Sequence, residues 1–208
     1  MHSFDTVTHD TGWRVIHLPS VDSTNTEAAR LRDDGGDARV AVVADEQTAG
    51  RGRGGRSFVS PPGGLYVSLL VSARLEDLPG GLTAALALAT AEAVEQASGV
   101  ACGIKWPNDL WVERRKLGGI LLEAAGPELP VVAGIGLNLR AVPGALDADD
   151  RALTTALDAE AGRSVSRPEL LGGLLRLVDA CVTDLGHPER RGALEEAWRR
   201  RLIFVGEL

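Results

Sequence analysis

Cysteine is almost missing: Cys102 and Cys181 are the only two in 208 residues, far apart and outside any CxxC pair. No disulfide framework can be read from them, which fits a reducing cytoplasm. The four histidines, His2, His9, His17 and His187, show no ligand spacing, so no structural metal is expected. No apolar run is long enough for a membrane span, and the N-terminus lacks the basic start and apolar stretch of a signal peptide. Positive charge is not in excess either. The net charge is -7, which disfavours general affinity for nucleic acid. Internal repeats and low-complexity tracts are also lacking. What remains is ordinary globular material, 44% hydrophobic and 25% charged, with enough apolar residues for a core and a length fitting one large domain with at most a small appendage.

Periodicity divides the chain into alternating pieces. Trp13–Leu18 reads as a strand ended by Pro19. Thr24-Asn25-Thr26-Glu27 has the capping-box pattern and predicts a helix from Thr24 toward Asp34, stopped by Gly35-Gly36. Arg39–Ala44 and Leu65–Val71 read as strands, separated by a loop over Asp45–Gly64. A loop of that length inside a compact domain is usually functional or disordered. Gly81–Ala97 is an alanine-rich helix with Leu82, Leu86 and Ala89 on one face, closed by Gly99. Gly103–Trp106, Leu110–Val112, Lys116–Glu123 and Val131–Leu139 are strand-like, and their short spacings predict an antiparallel meander. A polar linker follows over Ala141–Asp150. A helix then begins at Ser166-Arg167-Pro168-Glu169, with Leu170, Leu174, Leu177, Val178, Cys181 and Leu185 on one face. A second helix spans Glu189–Arg200, and Leu202–Leu208 resembles the beginning of a strand. The whole predicts an α+β fold: a mixed, largely antiparallel sheet covered by helices.

Four constellations carry polar chemistry. Gln47-Thr48-Ala49-Gly50-Arg51-Gly52-Arg53-Gly54-Gly55-Arg56 alternates glycine with arginine. Such glycines let backbone N–H groups converge on an anion, and the guanidinium forks bind carboxylate or phosphate oxygens in pairs. A solvated turn, or an RGG-like nucleic-acid segment, would explain the same residues. Lys105-Trp106-Pro107-Asn108-Asp109 places polar groups after a strand-breaking proline, and Lys116-Leu117-Gly118-Gly119 sets a lysine beside glycines that admit a close neighbour. Taken alone, Lys116 reads better as a surface lysine beside a tight turn. Gly134-Ile135-Gly136-Leu137-Asn138 leaves one strand face bare, which suits a flat ring or another backbone. Ser23-Thr24-Asn25 offers hydroxyl and amide groups, although a helix cap accounts for them fully.

Taken together and in this order, these motifs resemble the biotin–protein ligase (biotin–[acetyl-CoA-carboxylase] ligase) family across residues 12 to about 200. The resemblance implies a catalytic domain over 12–200, of the class II aminoacyl-tRNA synthetase/biotin ligase-like type. Residues 201–208 would begin a truncated C-terminal SH3-like β domain. It implies no N-terminal helix-turn-helix, and so no operator binding. It also implies biotin and Mg-ATP as substrates, a biotinyl-5′-adenylate intermediate, and a biotin carboxyl carrier protein domain as acceptor. A sheet edge of that family can pair subunits, which allows a homodimer. Carried over, Lys116, Arg51 and Arg53 would be catalytic. Ser23, Thr24, Asn25, Gln47, Gly50, Arg51, Gly52, Arg53, Lys116, Gly119, Gly134 and Gly136 would bind biotin. Arg51, Arg53, Arg56, Lys105, Trp106, Asn108, Asp109 and Asn138 would bind ATP, with Mg2+ arriving on the nucleotide. Lipoate ligases share the fold and are the nearest enzymatic alternative. A biotin or biotinyl-adenylate binding protein, and a nucleic-acid module built on the arginine-glycine loop, are alternatives of other classes.

Overall fold

The computed structural model describes residues 4–72, 81–126, 130–140 and 153–203. Among these, seven strands form one sheet: β1 (Arg14–Val21), β2 (Val40–Gln47), β3 (Leu65–Val71), β4 (Gly103–Lys105), β5 (Asp109–Val112), β6 (Arg115–Glu123) and β7 (Val131–Leu137), in the order β1-β2-β3-β7-β6-β5-β4. Only β1 and β2 run parallel. A parallel pair needs a crossover, and α2 (Thr24–Asp33) supplies it. The remaining helices are α1 (Phe4–Thr11), α3 (Gly81–Ser98), α4 (Leu157–Ala161), α5 (Arg167–Gly186) and α6 (Pro188–Arg200). The α+β architecture and the β4–β7 meander are as the sequence predicts. No helix among the described residues is long and apolar enough to cross a membrane.

Alternation along the strands sorts side chains onto two faces. Ala41, Val43, Leu65, Val67, Leu69, Ala133, Ile135 and Leu137 join the large core under α3 and α5, whereas Val40, Val42, Leu70 and Val132 pack with Ala28 of α2 in a smaller cluster. Ser68, Gly134 and Gly136 lie in phase with the second set; the first turn of α2 covers Ser68 and Gly134, and the sheet beyond it, toward Gly136 and Gly119, is left open. The site opens there. Helix α3 is buried on several sides, through Ala85, Ala87, Ala89, Ala91 and Ala93 besides its leucines. It lies between the sheet and α5, which explains why one apolar face understates it.

Several boundaries differ from expectation, each for a local reason. Pro19 does not end β1, which runs on to Val21; Leu18 and Ser20 pair with β2 on either side of it. On an edge strand the missing N–H breaks no ladder. Ser23, not Thr24, occupies the N-cap of α2, and its side chain makes no capping bond. The capping box is therefore not formed, because Thr24 and its neighbours are engaged elsewhere. The Asp45–Gly64 segment is shorter and more ordered than a free loop: β2 reaches Gln47, bridges join Gln47 to Ser60 and Arg51 to Ser57, and a 3-10 turn covers Arg53–Gly55. The sequence pattern predicts neither α1 nor α4. The linker Ala141–Asp150 and residues 204–208 lie outside the described residues. Leu202 bridges Ile104 in parallel.

Candidate active site

A cavity of about 590 Å³ lies on the uncovered sheet face. Its floor is β6 and β7, where Gly119 pairs with Gly136 and Leu121 with Gly134. The glycines there are not empty space. A Cβ on Gly134 would fall 2.1 Å from Asn25 Oδ1, and one on Gly136 would fall 2.6 Å from the Phe58 ring. The ring that lies on the bare strand at Gly136 is that of Phe58, two residues beyond the arginine-glycine segment. Gly118 serves structure instead, since its Cβ would meet the Gly136 carbonyl oxygen at 2.1 Å.

At one end stand Ser23, Thr24, Asn25 and Gln47, the first three buried. Thr24 donates its backbone N–H to Gln47 Oε1 at 2.8 Å. Ser68, fully buried on β3, sits 2.7 Å from the Thr24 hydroxyl and 2.5 Å from Asn25 Oδ1. Gln47 Nε2 donates to the Ser60 hydroxyl, which donates to the Phe58 carbonyl. These residues form a connected polar network rather than a helix cap. Ser68 is the member the sequence reading missed. A lone serine within an apolar strand was the available signal, because a buried hydroxyl needs a partner.

The other end is cationic. Arg51, Arg53, Arg56, Lys105 and Lys116 line the cavity, against Asp109 as the one lining acid among the described residues. Lys116 Nζ lies 2.9 Å from Asp109 Oδ1, and Arg53 donates to Asn108 Oδ1 at 3.1 Å. Arg51 pairs with Glu123 at 2.8 Å. Lys105 places its ammonium 4.4 Å over the Trp111 ring. Such a local excess of positive charge, in a chain of net charge -7, favours a small multiply charged anion. The Arg-Gly segment is held at its base by Tyr66, whose hydroxyl donates to the Pro61 carbonyl at 2.7 Å and whose ring meets Phe58 edge-on. Burial pushes that hydroxyl's pKa up to about 12, so it stays a protonated donor.

Not every expected residue lines this cavity. Gly50 forms the segment's neck, where a Cβ would lie 2.3 Å from the Phe58 carbonyl. Asn138 is buried and donates to the Thr155 carbonyl, while Thr155 N–H donates to the Lys116 carbonyl. It therefore braces the strand that carries Lys116. Trp106 is 70% exposed and faces a second, larger cavity of about 780 Å³. That cavity meets the first at Arg53, Pro107, Asn108, Ile120 and Leu121 and is otherwise lined by the start of α3, by Leu122 of β6, and by Leu185 of α5 with Arg191, Leu194, Glu195 and Trp198 of α6. Charge and polar groups converge in the smaller one, so the chemistry belongs there. Among the described residues, no three or more His, Cys, Asp or Glu side chains gather as a metal site.

A glycine-floored pocket with a neutral polar end and a cationic end is suited to a small ligand that carries a polar head and an anionic group. The model of the Biotin/lipoate A/B protein ligase family matches residues 17–139, more than half of the chain, and the chain belongs to that family. The bifunctional ligase/repressor BirA of Bacillus subtilis is 33% identical over 170 residues, covering 79% of this chain and 52% of the relative. The chain thus spans about half the length of that relative. The biotin–[acetyl-CoA-carboxylase] ligase of Mycobacterium tuberculosis is 35% identical over 204 residues, covering 94% of this chain and 73% of the relative. The biotin protein ligase of Aquifex aeolicus, solved in complex with biotin and ATP, superposes with a TM-score of 0.77 at 30% identity, covering 93% of this chain and 80% of that one.

Proposed function

We propose that this chain is the catalytic domain of a biotin–protein ligase, which activates biotin with ATP and passes it to a lysine of a biotin carboxyl carrier protein. What carries this reading is the convergence of Arg51, Arg53 and Lys116 on one cavity. In the first half-reaction a biotin carboxylate oxygen attacks the α-phosphorus of ATP, and pyrophosphate leaves with the electron pair of the broken P–O bond. Two anions must approach each other, so the barrier falls where fixed cations offset their repulsion. In this reading Lys116 and the two guanidinium groups would do so. In the second, the uncharged amine of the acceptor lysine attacks the acyl carbon. AMP leaves, and the nitrogen gives up its proton.

The ureido head group would lie among Ser23, Thr24, Asn25 and Gln47, with Gly119, Gly134 and Gly136 beneath. The nucleotide would lie toward Arg56, Lys105, Asn108 and Asp109, bringing Mg2+ with its phosphates. Asp109, a carboxylate already shared with Lys116, is chemically suited to that side.

A lipoate or octanoate ligase is the second reading, since the family includes both. The polar end favours biotin: a ureido group can exchange hydrogen bonds with its hydroxyl and amide groups, whereas a dithiolane or alkyl tail cannot. The test is biotin-dependent pyrophosphate release and labelling of a carboxyl carrier domain, with lipoate as competitor. Lys116→Ala and Arg51→Ala should each lower turnover by about 10²–10³, the size of lost transition-state charge stabilisation. Wild-type turnover in both, or preference for lipoate, overturns the assignment.

A further inference from the structure

Glu123 ends β6 on the face that carries the site, one alternation beyond Leu121, and pairs with Val132 across β7. One of its oxygens, Oε2, accepts from Arg51 Nη2 at 2.8 Å and from Asn25 Nδ2 at 2.7 Å. It thus joins the cationic segment to the neutral polar end. The direction of the bonds is fixed. An amide oxygen only accepts, so Ser68 donates its single proton to Asn25 Oδ1, and the Thr24 hydroxyl is left to donate toward Ser68 or Gln47. Asn25 therefore faces Ser68 with its oxygen and Glu123 with its nitrogen. Turning the amide over would set a donor against the Ser68 proton and an oxygen against the carboxylate.

We propose that Glu123 is a positioning residue: it fixes the amide of Asn25 and holds Arg51 over the pocket before any ligand arrives. It touches neither reactant and acts through those two side chains. A negative charge strengthens both bonds, above all the one from the cationic guanidinium. When a carboxylate or phosphate enters, Arg51 is already ordered nearby and need only exchange one oxyanion partner for another. Its ordering cost is thereby met in advance.

The test compares wild type with Glu123→Gln, which preserves size but not charge, and with Glu123→Asp, which preserves charge but withdraws it by one methylene. Two readouts are followed. The first is trypsin cleavage of the ligand-free chain after Arg51, Arg53 and Arg56. The second is the KM for biotin in pyrophosphate release, which rests on the proposed function. We expect both variants to be cut several-fold faster within 51–56 only. KM should rise about tenfold, as for loss of one hydrogen bond to a charged group, with kcat within about threefold. Should Glu123→Gln fail to fold, Glu123→Asp carries the same test. Unchanged cleavage and KM overturn the proposal, as does acceleration spread evenly along the chain, which would mark a merely structural role. If wild type neither binds biotin nor releases pyrophosphate, the functional reading fails, while the cleavage comparison still decides the role of Glu123.

Discussion

Gly134→Ala isolates the contact on which the polar end of the site depends. The added methyl would stand 2.1 Å from Asn25 Oδ1 and 2.9 Å from its Cγ, roughly 1 Å or more short of an ordinary contact. Asn25 has little room to retreat. It is buried in the first turn of α2, held by Ser68 on one side and Glu123 on the other. Either α2 lifts from the sheet, disturbing the packing of Ala28 on Val42 and Leu70, or Asn25 leaves its network. Overpacking of this kind costs about 1–3 kcal/mol. For a chain of this size that corresponds to a Tm lower by about 4–8 °C for a cost near the middle of that range. Gly136→Ala is the internal comparison. Its methyl meets the Phe58 ring at 2.6 Å, but Phe58 belongs to a surface segment and can swing aside. Its Tm should therefore stay within about 2 °C of wild type. Differential scanning calorimetry, alongside biotin-dependent pyrophosphate release, separates the two. Gly134→Ala should lose both stability and biotin affinity, Gly136→Ala chiefly affinity. A Gly134→Ala protein with wild-type Tm and KM would refute the claim that the floor is built to fit Asn25.

Two further predictions concern the rest of the fold. Burial opposes ionisation of Asp45, but hydrogen bonds from His17 and Arg167 and their charge outweigh it, so its pKa lies below the ordinary carboxylate value of 3.8. A lowered folded-state pKa gives stability that is present above 3.8 and lost as pH falls through the folded value; the Tm of wild type should drop more steeply than that of Asp45→Asn between pH 5 and about pH 3, and parallel curves would refute the linkage. Burial pushes the thiols of Cys102 and Cys181 up to about 12, so iodoacetamide at pH 8 should label neither in the native protein and both after denaturation, as mass spectrometry would show.

The sequence made most elements legible because their periodicity is strong. β3 and the β4–β7 meander begin or end within a residue or two of the predicted bounds, and α5 starts at the expected Ser166 cap, whose side chain accepts from Glu169 N–H. What escaped was set by tertiary context. Phe4–Thr11 has one buried residue, Val7, and forms a helix that packs on α5. Thr24 looked like a cap because its sequence neighbours fit one; only the fold brings Gln47 and Ser68 to it. The clusters around Arg51 and Lys116 were visible as motifs, and their convergence follows from topology, since β7 must lie between β3 and β6 to join them. Ser68 shows in the sequence only as a lone hydroxyl in an apolar strand, and Glu123 as an ordinary strand end; each gains its role from a partner more than 40 residues away.

The place of β7 in the sheet also bears on how the molecule is made. Among the described strands it is the last in sequence, yet it is the one that hydrogen-bonds to both β3 and β6. Until residue 137 has left the ribosome, the growing polypeptide holds two half-sheets, each with a raw, apolar edge seeking a mate. The pocket floor cannot assemble gradually; it snaps shut with that final insertion. Nascent chains halted before residue 131 should consequently be sticky and ligand-blind, and chaperone demand should concentrate in that interval.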